Sequence, residues 1–202
     1  MNESMKLITI LLLGALAWFG GKAYGEDYKR SLYMSSWKDY NHDGQSTRQE
    51  VLIEENLAPD SLTVYNEDSS RIISGLWVCP YTGDTITDPS KLDIDHLVPL
   101  KEAHLSGGYN WSKEQRHQYA NDLNTNENHL VAVKASANRS KGAKDPAHWM
   151  PEINQCWYIL EWLRVKQIWG LSADPVETQF IQIYLDEHES CRDYDVELPP
   201  VH

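Results

Sequence analysis

Between Leu92 and Pro99, apolar Leu92, Ile94 and Val98 alternate with acidic Asp93 and Asp95. A period of two marks a strand with one buried face, and Pro99 ends it because proline cannot donate to a ladder. Such a strand needs a partner to cover its apolar side. The partner is the run His129-Leu130-Val131-Ala132-Val133, and Ala135 to Lys141 (ASANRSK) follows it as a helix that stops near Gly142. The insertion between the two strands carries its own helix from Ser112 to Leu123, opened by a capping box of Ser112 with Gln115. Strand, insertion, strand, helix is the order around which the rest of the chain has to be arranged. Upstream, residues 71–79 (RIISGLWVC) read as a strand, Pro80 to Asp84 as a turn and residues 85–87 as a short returning strand.

Downstream, residues 152–169 place Ile153, Cys156, Leu160, Leu163 and Ile168 at helical spacing and stop at Gly170. Ser172-Ala173-Asp174-Pro175 then opens a second helix, about 175–189. Folded back as a hairpin, these helices bring Cys156 and Cys191 to the same open end, which predicts a disulfide between them and leaves Cys79 as a thiol. The expected class is therefore α+β, with a small antiparallel sheet and a C-terminal helical hairpin (about 152–191), in a single domain from residue 26 to 202. Residues 1–25 read as a signal peptide: Leu7 to Phe19 is apolar, and Ala23 and Gly25 supply small residues before a cleavage point. The run is short of the roughly 18 to 20 residues a membrane span needs, so no stable membrane association is expected after cleavage near Gly25. An oxidising compartment agrees with the predicted disulfide.

Charge bears on the partner. Asp and Glu outnumber Lys and Arg 30 to 18, for a net charge of -12. A polyanionic partner must then be met by a local basic patch against the average field.

Three pieces in order, Asp95-His96-Leu97-Val98-Pro99-Leu100, Asn128-His129-Leu130-Val131-Ala132-Val133 and Asn138-Arg139-Ser140-Lys141-Gly142, resemble the HNH, or His-Me finger, nuclease motif. The surrounding text (YTG, LDIDHLVPLKEAH, YANDL, NRSKG) is similar to secreted HNH-type endonucleases of bacteria and fungi, from about Asp39 to Cys191. The resemblance implies a ββα-metal core over about 92–145 and metal-dependent hydrolysis of DNA, and by extension RNA, with little sequence preference. The products would carry 5'-phosphate and 3'-hydroxyl ends. His96 would be the general base, a role for which imidazole has the right unperturbed pKa. Asp95 and Asn138 would hold a hard divalent ion, Mg2+ or else Mn2+, through oxygen. His129 falls where the family places the residue that orients the base, and Asn128 beside it competes for the role. Lys141, Arg139, Lys134 and Lys144 would form the basic patch, with His104 and Arg48 as further substrate contacts, and activity would fall steeply with salt. A secreted monomer, periplasmic or released by a bacterium, is the expected setting, because glycosylation of the Asn138-Arg139-Ser140 sequon would cover the metal site.

Two other readings compete. Asp39, Asn41, Asp43, Gln45 and Glu50 fit the twelve-residue calcium loop, with Gly44 at its sixth position. The same letters serve as a turn followed by a Thr47/Glu50 capping box. A structural Ca2+ there would suit a non-catalytic secreted calcium-binding or adhesion module. His96, His104 and His129 could also be imagined around zinc, but they lack helical ligand spacing.

Overall fold

The computed structural model describes residues 27–39, 42–60, 63–67, 71–124, 128–193 and 195–202. The expected signal peptide and Asn41 lie outside the described residues. Helix α1 (Thr47–Glu54) precedes four short strands, β1 (Val64–Tyr65), β2 (Ile72–Ser74), β3 (Trp77–Val78) and β4 (Thr85–Ile86). Then come β5 (Leu92–His96), α2 (Leu100–Leu105), α3 (Lys113–Ala120), β6 (Leu130–Lys134), α4 (Ala135–Lys141), α5 (Gln155–Trp169) and α6 (Pro175–Glu187). The class is α+β, and the described strands form three antiparallel pairs, β1 with β2, β3 with β4 and β5 with β6.

Residues 71–79 are not the single strand their composition predicts. The run breaks at Gly75 and Leu76, so that β2 turns to β1 while β3 pairs with β4 across the 80–84 turn. Packing demands the glycine: a Cβ at residue 75 would stand 2.6 Å from both Asn56 Oδ1 and the Trp77 ring. Asn56 Oδ1 instead accepts from the Leu76 N–H at 2.8 Å.

In the β5–β6 pair, His96 faces Leu130, Asp95 faces Val131, Ile94 faces Ala132 and Asp93 faces Val133. One face gathers Leu92, Ile94, Leu130 and Ala132 against Val51 and Leu52 of α1 and against Trp77. Trp77 is anchored there by its indole N–H on the Leu52 carbonyl at 2.9 Å. Burying side chains of this size stabilises by roughly 2–3 kcal/mol each. The other face carries Asp93 and Asp95 beside Val131 and Val133, and α4 packs over it. The acidic side of the alternation is therefore interior at Asp95, which is only 5% exposed, and half-buried at Asp93.

Helix ends follow their sequence signals. Ser112 and Gln115 form both bonds of the capping box, Asp174 accepts from the N–H groups of Val176 and Glu177, and Gly170 ends α5 at φ +61°. Helix α2 has no counterpart in the sequence reading; it starts at Pro99, whose φ of -57° already suits a helix. The Thr47/Glu50 capping box does not form. Ser46 is the N-cap of α1, and the Thr47 hydroxyl is drawn inward to the Lys38 carbonyl at 2.8 Å.

Helices α5 and α6 make the expected hairpin, closed by the Cys156–Cys191 disulfide. At its other end the fully buried Lys166 donates to Glu177 of α6 at 2.7 Å, Glu102 of α2 at 2.9 Å and the Ser172 carbonyl at 2.8 Å. The hairpin is thereby tied to the helix that follows β5. No helix among the described residues is long and apolar enough to cross a membrane.

Candidate active site

His96 ends β5, and its ring is enclosed between Trp37 (centroids 5.5 Å apart, planes 13° apart) and Tyr119 (6.3 Å, 10°). Its Nε2 lies 2.9 Å from the Ala120 carbonyl. A carbonyl only accepts, so Nε2 carries the hydrogen and Nδ1 keeps its lone pair in the neutral ring. Burial, reinforced by the neighbouring His129, holds the His96 pKa well below the usual histidine range, which keeps that neutral form at neutral pH.

His129 is completely buried, with Nε2 2.6 Å from the Tyr119 carbonyl and its ring edge-on to His96 at 6.0 Å. Burial lowers its pKa as well, and its Nδ1 is a buried atom with no partner among the described residues. Both histidines thus hang from consecutive carbonyls in the last turn of α3. These are among the carbonyls a helix leaves without an internal donor. The inserted helix is the device that orients the pair. Asn128, half-buried, directly precedes His129.

On the other face of β5, Asp95 accepts from the Tyr81 hydroxyl at 2.6 Å and from Lys141 Nζ at 2.8–3.0 Å. Lys141 is fully buried and donates also to the His96 carbonyl at 3.0 Å. Burial pushes the Asp95 carboxyl up and the Lys141 ammonium down, and each is partly offset by the other. The carboxylate that meets Asn138 is Asp93: Asn138 Nδ2 donates to its Oδ2 at 3.2 Å, and Arg139 Nε stands 3.8 Å away. The Asp93 side chain is 34% exposed, so this pair is open to solvent where the Asp95 pair is not. Alternation along a strand puts residues 93 and 95 on one side, a signal that could have added Asp93 to the site from sequence. Nothing in the local sequence marks Trp37, Tyr81 or Tyr119 as neighbours of His96 and Asp95.

Several expected substrate contacts are otherwise engaged. Lys141 lies beneath the strand and cannot reach a phosphate. His104 is 3% exposed, with Nδ1 3.2 Å from the Tyr33 hydroxyl and aromatic rings around it. Arg48 donates to the carbonyls of Pro89 and Leu92 and so holds the entry to β5. Lys134 pairs with Asp84 at 2.7 Å, and Lys144 donates to the Ser140 carbonyl at 2.8 Å. Of the basic patch expected around α4, Lys141 is buried, while Lys134, Arg139 and Lys144 stand at the surface.

The loop before α1 has Gly44 at φ +92°, its N–H on Asp39 Oδ2 at 3.1 Å, and the Gln45 N–H on Asp43 Oδ1 at 2.8 Å. Burial and the charges of Asp43 and Asp39 raise the Glu50 pKa.

No group of three or more His, Cys, Asp or Glu among the described residues is placed to hold a metal ion. The donors on the α4 side of β5 are instead a partly open carboxylate, Asp93, and an amide, Asn138, in contact, with the carboxylate of Asp95 beside them on the same strand face. Oxygen donors of this kind fit a hard divalent cation that keeps waters in its remaining positions.

Residues 34–177 match the family model described as GmrSD restriction endonucleases, C-terminal domain. A curated relative from Arthroderma benhamiae (strain ATCC MYA-4681 / CBS 112371), named "Uncharacterized secreted protein", is 38% identical over 123 residues. That match covers 60% of this chain and 59% of the relative, so the chain spans less than two thirds of the relative's length. No solved structure matches.

Proposed function

The chain belongs to the family of GmrSD restriction endonuclease C-terminal domains, which points to a nuclease-related function, and on that premise we propose that it is a secreted, metal-dependent endonuclease of the HNH type. Its substrate is DNA, cut with little sequence preference. The observation that carries the reading is His96, a neutral imidazole fixed by a helix-end carbonyl at the end of the strand whose opposite face carries two carboxylates toward an asparagine-bearing helix.

In this reading the Nδ1 lone pair of His96 takes the proton from the attacking water while its Nε2–H stays on the Ala120 carbonyl. Trp37 and Tyr119 keep the ring from turning. His129, held on the neighbouring carbonyl, positions His96 from its edge. Asp93 with Asn138, on the strand face where Asp95 is engaged by Tyr81 and Lys141, would hold a divalent ion, Mg2+ or Mn2+, which when bound would neutralise charge on the scissile phosphate and the leaving oxygen. Arg139, 77% exposed at its side chain, is placed to meet an incoming phosphate. Secretion is supported by the relative's name and by the disulfide, and the reading takes the secreted form as a single-domain monomer with the leader removed near Gly25.

The test is nicking of supercoiled plasmid by the oxidised protein with Mg2+ or Mn2+, beside an EDTA control and His96→Ala. We expect metal-dependent nicking that falls about 10²–10⁴-fold in His96→Ala, the usual worth of a general base. A folded wild type that cuts with no divalent ion added, or with none at all, sinks the reading.

A further inference from the structure

We propose that the cavity between the 31–38 segment and α3 is a subsite for a phosphodiester group of the nucleic-acid backbone, next along the strand from the one that is cut. The proposal rests on the reading of His96 as the place of cleavage.

The cavity measures about 200 Å³ and is lined by Ser31, Ser35, Lys38, Lys113, His117 and Asn121 among others, with no carboxylate in its lining. In a chain with net charge -12, a concave surface made only of cations, hydroxyls and neutral side chains is the reverse of the average and fits an anion. Lys113 and His117, four residues apart, lie on one stripe of α3, and Asn121 follows as its C-cap. Asn121 fixes the opposite wall: its Oδ1 accepts the Lys38 N–H at 3.2 Å and its Nδ2 donates to the His117 carbonyl at 3.1 Å.

Position relative to His96 follows from the chain. Trp37, stacked on His96, immediately precedes Lys38, and Ala120, whose carbonyl holds His96, immediately precedes Asn121. Both walls of the cavity are therefore one residue from groups that touch the proposed base, about 3.8 Å along each backbone. Among the described residues no ion pair joins Lys38 or Lys113 to a carboxylate, unlike Lys134 and Lys141 around α4. Glu114 sits beside Lys113 on the helix, and the Oδ2 of Asp39, beside Lys38, is turned to the Gly44 N–H. Cations that remain available are those able to exchange counterions for a phosphate.

The experiment is fluorescence anisotropy of a labelled duplex in EDTA across a salt series, with the whole protein, Lys38→Ala/Lys113→Ala and Lys38→Arg/Lys113→Arg. Both lysines are exposed, so thermal melting of the variants is expected to match the wild type. We expect the alanine pair to weaken binding roughly tenfold or more and to flatten the salt slope by about one per lysine, with the arginine pair close to wild type. An unchanged Kd and slope in the alanine pair overturns the subsite while leaving nicking, read separately, to judge the nuclease reading. A wild type that fails to bind the duplex at low salt overturns the subsite too. Weakened binding and a flattened slope in the alanine pair, with the arginine pair close to wild type, support the phosphate contact, and loss of nicking in His96→Ala, read separately, supports its place beside the phosphate that is cut.

Discussion

Among the described residues two lysines are completely buried, Lys141 under β5 and Lys166 in the helical hairpin, and their surroundings differ in kind. Lys166 meets two carboxylates from two other helices together with a carbonyl. Lys141 meets one carboxylate and the His96 carbonyl. The first is a joint between elements remote in sequence, and its local balance is one charge to the negative side. The second is an even pair set against the strand that carries His96. Burial near the site has been matched charge for charge, whereas in the hairpin an extra carboxyl is tolerated by raising its pKa: burial first, offset by Lys166 and raised again by Glu102, pushes Glu177 up to about 7.

The strongest way to break this contrast is to remove each ammonium. Lys166→Met and Lys141→Met are each expected to cost about 3–5 kcal/mol in urea unfolding, because each strands a buried carboxylate. Compensation then separates them. Lys166→Met with Glu102→Gln and Glu177→Gln should regain both stability and plasmid nicking. Lys141→Met with Asp95→Asn should regain stability while nicking stays at least tenfold down, and recovery of nicking there would place Asp95 outside the chemistry. Next in size, reducing the Cys156–Cys191 bond, which spans 35 residues, should lower stability by about 3 kcal/mol and loosen the hairpin end without abolishing nicking.

The smallest effect is one of pH. Glu177 holds its proton more tightly folded than unfolded, so the stability it lends is full below its ordinary pKa of 4.5 and is lost as pH rises towards about 7. The loss is at most about 3 kcal/mol, visible as a falling melting temperature between pH 5 and 7.5. Glu177→Gln should flatten that slope, and an unaltered slope would assign it to another group, such as Glu55, whose carboxyl burial also lifts to about 7.

Much of this was legible in the residues. The order of β5, β6 and α4, the Ser112 capping box, the Asp174-Pro175 helix start and the cysteine pairing all follow from local spacing, where backbone geometry alone decides. What escaped required knowing which distant groups share a space. Alternation set Asp93 and Asp95 apart from Ile94, but whether that side meets water or a helix depends on α4 folding over it. Lys141 reads as a cation free for phosphate until its depth is known. Trp37 lies 59 positions before His96, and no periodicity links them. The run 71–79 looked continuous because strand propensity is additive along a segment, while the break at Gly75 comes from Asn56 and Trp77 crowding one atom position.

Both site histidines take their orientation from peptide carbonyls, those of Tyr119 and Ala120. The information that selects the tautomer is therefore stored in the path of the main chain and has no side chain of its own to lose. Ala120 can be exchanged for any residue that tolerates burial there without altering which nitrogen bears the hydrogen. A one-residue deletion within α3 would turn the last carbonyls through about 100° and release both rings at once. Drift in sequence and drift in length thus have unequal consequences for this insertion: it can forget its letters more readily than its register.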